Sequence, residues 1–490
     1  MLLKSRSQRV IIIGAGIGGL TTGALLAKRG FQVEIYDQAI IPGGCASTFK
    51  RQGFTFDVGA TQVAGLEVGG IHHRIFTELG IDIPEATPCD PACAVYLPDE
   101  PEPINIWRDP TQWQAERQRQ FPHSEPFWQF LQNLFQPSWR FQLRDPILPP
   151  RNLWDLAQLL KAMRWDTLAT VPFTLSTVGD ALRGFGLDRD RRLRTFLDLQ
   201  LKLYSQVNAE ETALLYAATS LAVSQSPLGL WHLKGSMQVL SDRLVEALEK
   251  YGGKLYMRHT VQAIDPKSMQ VKVYNQLSQA LNWESADHIV ANVTVQSLVK
   301  LLGDQAPQGY KRRVEKLKPA SGAFVLYLGV DHQAIPDRCP PHLQFLDSYT
   351  DQRSLFVSVS QAGDGRAPTG KATIIASEFT DILEWQTEDY QTLKSKYSQR
   401  AIAQLSKYFN LENTIIYQEA ATPQTFIRYT GRDQGMVGGL GMRISTFSPF
   451  GFANRTPLKH IWLVGDCTHP GEGTAGVSYS ALTVVKQISA

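Results

Sequence analysis

The sequence has almost no net charge to offer a polyanion: 49 Lys and Arg against 46 Asp and Glu leave +3 over 490 residues. Non-specific nucleic-acid binding needs a basic face that neutralises several phosphates, so no nucleic acid is expected as a partner. Cysteine is scarce too. Cys45, Cys89, Cys93, Cys339 and Cys467 form an odd, scattered set in a chain large enough to fold without staples, which points to a reducing compartment. Only Cys89 and Cys93 are close, and their C-D-P-A-C spacing has neither a second pair nor a nearby His pair, so no metal site is expected. The chain also lacks G-x-S-x-G, H-E-x-x-H and Walker-type G-K-[ST] stretches, which removes the common hydrolase, zinc-protease and P-loop chemistries. Internal repeats and low-complexity tracts are absent as well.

Long apolar runs are nearly missing. The exception is Val10 to Ala27, uncharged and preceded by Lys4, Arg6 and Arg9, which has the outline of a signal peptide or a span. Its glycines decide otherwise. Gly14, Gly16, Gly18, Gly19 and Gly23 would each cost about 1 kcal/mol relative to alanine in a helix interior, so the run reads as strand, tight turn and helix. Nothing is expected to cross a bilayer.

What is present is a globular composition, 43% hydrophobic and 19% charged, in a length that suits two interleaved domains. Residues 9 to 37 read β-α-β: R-V-I-I-I, then G-A-G-I-G-G, a helix stopped at Gly30, and F-Q-V-E-I-Y-D. Gly14, Gly16 and Gly19 thus place G-x-G-x-x-G between strand and helix. The first glycine permits the turn, the second lets a pyrophosphate reach the backbone, and the third lets helix and strand pack closely. The helix N-terminus offers N–H groups and a positive dipole end to phosphate. Asp37, closing the second strand, is placed to accept from both ribose hydroxyls.

From about 100 to 226 the texture changes to Pro-rich turns and six of the ten tryptophans, as in a substrate or lid domain. Within it Leu153, Trp154, Leu156, Leu159, Leu160, Met163 and Trp165 lie among Arg151, Lys161 and Arg164. That pattern suits an interfacial helix, and it also suits a helix packed on its own domain. Alternation returns near 227, with a helix expected over Gly235–Lys250, one strand over Gly253–Ile264 that places Val261 beside an adenine ring, and another strand ending at Asn292. Residues 320 to 380 contain A-F-V-L-Y-L-G-V and L-F-V-S-V-S, runs suited to an antiparallel sheet. The C-terminal H-I-W-L-V-G-D-C-T-H-P-G-E-G-T-A-G-V-S-Y-S-A-L reads strand, Gly-rich turn, helix.

Five segments carry a family resemblance: V-I-I-I-G-A-G-I-G-G-L, I-P-G-G-C-A-S-T-F, G-F-T-F-D-V-G-A, A-T-P-Q-T-F-I-R-Y-T-G-R and L-V-G-D-C-T-H-P-G-E-G-T-A-G-V. The chain resembles the FAD-dependent amine-oxidase-like superfamily and, within it, the bacterial-type carotenoid desaturases and isomerases, most of all the carotenoid 3',4'-desaturases of cyanobacteria. The resemblance implies an α/β fold with a discontinuous Rossmann-type FAD-binding domain (1–100, 227–300 and 451–490). The rest (101–226 and 301–450) is expected to form a substrate domain with an antiparallel sheet and a helical lid. Pro42, Gly43 and Gly44 resemble the second glycine turn, although Cys45 stands where many members have arginine, which leaves a guanidinium clamp there in doubt. Gly53, Phe54, Asp57 and Gly59 resemble the segment that approaches the flavin, and a buried structural turn would also explain them. Gly465 and Asp466 resemble the dipeptide whose acid meets the ribityl chain or pyrophosphate, and Gly476 and Val477 the helix start facing the flavin carbonyls. His469 and Glu472 lie in that turn as candidate acid or base, or as structural and cofactor contacts.

The resemblance further implies hydride transfer from a carotenoid to flavin N5, with a redox-neutral carotenoid isomerase as the alternative. A lipid chaperone of Rab-escort type keeps this fold without redox work, but intact glycine turns at both ends argue against it. A single G-x-G-x-x-G leaves no second dinucleotide domain, so reoxidation is expected to go to a quinone or oxygen. A water-insoluble substrate implies peripheral attachment to the cytoplasmic side of a membrane.

Overall fold

The computed structural model describes residues 7–318, 320–351, 353–387 and 389–490, so Lys4 and Arg6 lie outside it. Five parallel strands form the first sheet, in the order Lys254–Met257, Gln32–Asp37, Arg9–Ile13, His288–Ala291, Ile461–Leu463. Val10, Ile11 and Ile12 are wholly buried. That is what an apolar β-branched run requires when helices cover both faces of a parallel sheet. The helices Ile17–Lys28 and Thr474–Ile488 pack side by side, and their N-termini follow the carboxyl ends of Arg9–Ile13 and Ile461–Leu463. Ligands of open α/β sheets bind at that edge.

The second sheet has seven strands, ordered Ile415–Ala421, Gly322–Asp331, Lys371–Thr380, Ser354–Val359, His342–Leu346, Cys93–Tyr96, Ile104–Ile106. All its pairs are antiparallel except His342–Leu346 with Cys93–Tyr96. Helices between Pro110 and Ser220 lie over one side, the longest being Glu125–Leu143 and Arg191–Ser205. Phe127, Phe196, Leu197 and Leu201 fill the core beneath them at no more than 1% exposure. The fold is α/β, a parallel five-stranded sheet beside a mixed seven-stranded one.

Three local readings change. The single strand expected over Gly253–Ile264 breaks at Arg258, whose φ of 59° turns the chain from the parallel sheet (Lys254–Met257) into a separate three-stranded antiparallel sheet led by His259–Asp265. The helix expected from Gly235 begins at Gln238, since Gly235 takes a φ of 89°. Cys93–Tyr96, inside the segment assigned by sequence to the FAD-binding domain, pairs instead with the seven-stranded sheet.

Candidate functional site

The carboxyl end of the parallel sheet opens into one cavity of about 1250 Å³ that continues under the helical layer. Two glycine turns meet at its floor. The Gly43 N–H donates to Ala15 O at 2.8 Å, and a Cβ on Gly44 would stand 3.5 Å from Gly16 Cα. Gly43 has a φ of 115°, a region side-chain-bearing residues avoid. Gly14, Gly16, Gly43 and Gly44 all line the cavity. Gly19 does not: a Cβ there would come 2.1 Å from Gly14 O, so it serves the close packing of helix on turn. Pro42 also stays off the lining, its carbonyl accepting from Gln238 Nε2 at 3.1 Å.

Asp37 faces the cavity, but its carboxylate is already engaged. Oδ2 accepts from the Ala15 N–H at 2.6 Å and Oδ1 from the Ala39 N–H at 2.7 Å, tying the second strand to the first glycine turn. Burial nevertheless pushes its pKa up, against the pull of those two backbone bonds. Lone pairs remain for a ribose. Val261 lines the same end, together with His259 and Thr260.

Asn292, noted in the sequence only as the end of a strand, is the hub of the floor. It follows His288–Ala291, the strand between those that lead into Gly14 and Gly465. Its Oδ1 stands 2.9 Å from where a Gly16 Cβ would be, and its Nδ2 stands 3.0 Å from the corresponding points of Gly18 and Gly465. Nδ2 donates to Val464 O at 3.2 Å. One amide thus spaces both turns, a relation between residues far apart in the chain that no local motif reports.

Gly59, Gly465, Asp466, Gly476 and Val477 also line the cavity, whereas Gly53, Phe54 and Asp57 do not. The Asp57 carboxylate turns away into a buried pair with Arg366 at 2.7 Å. The helix expected to start at Gly476 and Val477 starts at Thr474, and the Val477 N–H already donates to Gly473 O at 3.0 Å. The N–H groups without an intrahelical acceptor are therefore those of Thr474, Ala475 and Gly476.

His469 and Glu472 both face the cavity, in different states. His469 Nε2 lies 3.0 Å from Gln142 Oε1, and burial lowers its pKa to about 4, leaving a neutral ring with Nδ1 unpartnered. Glu472 Oε2 accepts from Gln206 Nε2 at 3.0 Å and from the Gly439 N–H at 3.2 Å, while Oε1 is buried without a partner. Burial, opposed by those two hydrogen bonds, pushes its pKa up to about 8. The carboxyl is held as a neutral acid near pH 7, poised to titrate in the range where acid–base groups work.

The same cavity is also lined by Leu199, Leu203 and Phe356 and by Leu159, Met163, Val171 and Leu175. Glycine turns with no room for side chains, an acid at the ribose end of the first turn and two helix N-termini aimed at one space fit an FAD molecule. Gly14, Gly16, Gly43, Gly44, Asp37 and Gly465 would hold it.

Comparison with known proteins agrees in scale. Residues 12–79 match the family described as an NAD(P)-binding Rossmann-like domain. The prolycopene isomerase of Daucus carota is 26% identical over 99% of this chain and 81% of its own length. A zeta-carotene-forming phytoene desaturase of Myxococcus xanthus is 24% identical over 100% of this chain and 95% of its own. Among solved structures, cyclohexylamine oxidase from Brevibacterium oxydans superimposes with a TM-score of 0.63 at 16% identity, covering 99% of this chain and 100% of that one. Along nearly its whole length the chain is thus similar to carotenoid desaturases and isomerases, and it shares the fold of cyclohexylamine oxidase.

Proposed function

We propose that this protein is an FAD-dependent oxidoreductase that desaturates a carotenoid, at the 3',4' bond, within carotenoid biosynthesis. The observation that carries the reading is one cavity of about 1250 Å³ whose lining joins the glycine turns and Glu472 to an apolar set that includes Leu175, Leu199, Leu203, Val171 and Phe356. A rigid polyene needs such a passage to bring one carbon beside a flavin while water stays out. FAD, when bound, supplies the hydride acceptor. The residues of the chain position the cofactor and take up a proton: the glycine turns and Asp37 would hold the nucleotide, Thr474, Ala475 and Gly476 would present N–H groups at the flavin end, and Glu472, in its ionised form, would receive the proton that leaves with the hydride. A quinone or oxygen then takes the electrons.

The helix Leu153–Ala162 supports a lipid-facing mouth. Its orientation is reversed relative to a soluble surface helix: Asp155 is fully buried against Arg455 and Gln487, while Leu153 and Leu160 are 84% and 63% exposed. Trp165, 88% exposed, follows at its end. Leu159 and Met163, in the same stretch, line the passage. Tryptophan, leucine and nearby Arg151, Lys161 and Arg164 are what a monolayer surface accepts. We infer peripheral attachment to the cytoplasmic face of a membrane, with the substrate entering from lipid. No helix among the described residues is long and apolar enough to cross a membrane.

Anaerobic mixing of oxidised, FAD-loaded protein with lycopene-type or monocyclic carotenoids tests the reaction. Desaturation bleaches the flavin band as a longer-wavelength polyene band grows, and the product is two hydrogens lighter. The similarity to a prolycopene isomerase favours a second reading, cis–trans isomerisation. A product of unchanged mass, formed only with prereduced flavin, establishes it in place of the first.

A further inference from the structure

Aromatic rings from three parts of the chain meet around the turn that carries Glu472. Tyr216 comes from the helix Leu214–Ser220, Phe447 from the segment just before Ser448–Phe450, His469 from the turn itself and Tyr479 from the helix Thr474–Ile488. Their centroids form a continuous series: Tyr216 to Phe447 5.4 Å at 73°, Phe447 to His469 6.2 Å at 40°, and His469 to Tyr479 6.0 Å at 84°. All four line the cavity. Tyr216 also rests on the turn, since a Cβ at Gly471 would stand 3.7 Å from its Cε2. None of these rings is charged. Both hydroxyls are engaged as donors, Tyr216 to Tyr204 O at 2.5 Å and Tyr479 to Pro146 O at 3.2 Å, and burial pushes both phenols well above their usual pKa. Burial likewise keeps His469 neutral, and with Nε2–H donating to Gln142 Oε1 the Nδ1 lone pair has no partner.

We propose that Tyr216, Phe447 and His469 form an electron-rich wall that stabilises the cation left on the polyene when its hydride departs, which makes them catalytic residues for the desaturation. The proposal rests on that reading of the reaction. In the balanced step one C–H bond of the polyene breaks and its electron pair leaves with the hydrogen to the flavin. A neighbouring C–H bond then breaks, its proton passing to ionised Glu472 and its electron pair closing the new double bond. The polyene loses two electrons in all and is a cation between the two events. A cavity that excludes water leaves that charge without its usual solvent. Ring faces carry negative potential and attract a cation most strongly where water is absent. They also touch the neutral polyene without gaining from any charge, so the stabilisation is confined to the charged state. The neutrality of His469 meets the same requirement, because an imidazolium there would repel the cation. Tyr479 packs edge-on against His469 and supports the ring.

The test uses the full, FAD-loaded chain with mono-, di- and trifluorinated phenylalanine in place of Phe447. Each fluorine withdraws electron density from the ring with almost no change of shape, so folding is preserved along the series. The rate constant of flavin bleaching at saturating carotenoid is expected to fall stepwise, by about tenfold across the series, while the carotenoid dissociation constant stays within about twofold. A ring that only packs would leave the rate constant unmoved. Tyr216→Leu is expected to slow the same step by about tenfold or more, and Tyr216→Phe to keep most of the rate. A second readout needs no turnover: the ratio of affinities for a polyene ending in trimethylammonium and for its uncharged tert-butyl isostere is expected to fall along the fluorine series. With a product two hydrogens lighter, a rate constant that is independent of fluorine number or rises with it, or an affinity ratio that does not change, overturns the proposal and leaves the desaturase reading standing. A product of unchanged mass overturns both together.

Discussion

Gln206 and Glu472, 266 positions apart, are joined by a 3.0 Å hydrogen bond from the Gln206 amide to one Glu472 oxygen, which leaves the other oxygen pointing unpartnered into the buried site. Gln206 reaches it from the C-cap of Arg191–Ser205 in a left-handed conformation, φ 64°. The lid layer and the C-terminal turn therefore share one titrating group.

With the Glu472 pKa at about 8, proton acceptance by this carboxylate requires ionisation, so the rate of carotenoid conversion should rise with pH to a plateau above about 8. Glu472→Gln should remove that limb and slow turnover by about 10²-fold or more. Stability moves the opposite way. Between the ordinary carboxyl value of 4.5 and about 8 the folded state holds a proton that the unfolded state has released. The wild type should therefore lose stability over that interval relative to Glu472→Gln. Parallel urea titrations from pH 5 to 8.5 check the sign.

Gly16→Val should fold and lose FAD. Any Cβ at Gly16 stands 2.9 Å from Asn292 Oδ1 and projects between the two glycine turns. A loss of about 100-fold in affinity, near 2.7 kcal/mol, is expected. Flavin fluorescence quenching measures it, and unchanged affinity in the folded variant removes the pyrophosphate assignment.

Replacing Leu153, Leu160 and Trp165 by glutamine should release the protein from vesicles while FAD stays bound. Each such side chain gains roughly 1.5–3 kcal/mol on leaving water, so vesicle affinity should fall by about 100-fold or more. Leu159 is left alone because it lines the passage. Equal co-sedimentation of wild type and variant with liposomes would exclude this helix as the attachment site.

Arg366 is the prediction furthest from the chemistry. It is 3% exposed and paired with Asp57 at 2.7 Å and Asp364 at 3.3 Å, and Asp364 also holds His232 at 2.9 Å. This network fastens the strand Phe54–Asp57 to the turn that follows the strand Ser354–Val359. Arg366→Met strands two buried carboxylates and should cost about 3–5 kcal/mol of stability in a denaturant titration, without changing the affinity of the folded protein for FAD.

Several residues that line the cavity were legible in the sequence because their placement is local. Gly14 and Gly16 lie in a turn bracketed by a strand and a helix, Gly43 and Gly44 in a turn of their own, and Asp37 ends the next strand. Each can be read within some thirty residues, where hydrophobic period and turn chemistry suffice. For Asp57 the sequence left two readings open, and the buried one holds: a segment that leads towards the cavity at Gly59 also carries an acid that turns back to Arg366, and which way a side chain turns is not a local property. The start of the last helix was set two residues late, because its Gly473 with φ 84° ends the turn before Gly476 is reached.

The amino-acid order alone determined the β-α-β unit, the antiparallel strands around 322–380 and the apolar, tryptophan-bearing stretch at 151–165, all set by periodicity and steric limits over short distances. Tertiary structure alone decided the rest. It placed Asn292 between two glycine turns, set Gln206 on Glu472, paired Arg432 with Asp466 and turned Leu153 and Leu160 outward by anchoring Asp155 within. Each of these joins segments far apart in the chain. Charge, burial and hydrogen-bond satisfaction are balanced over the whole packed molecule, so no single segment carries them.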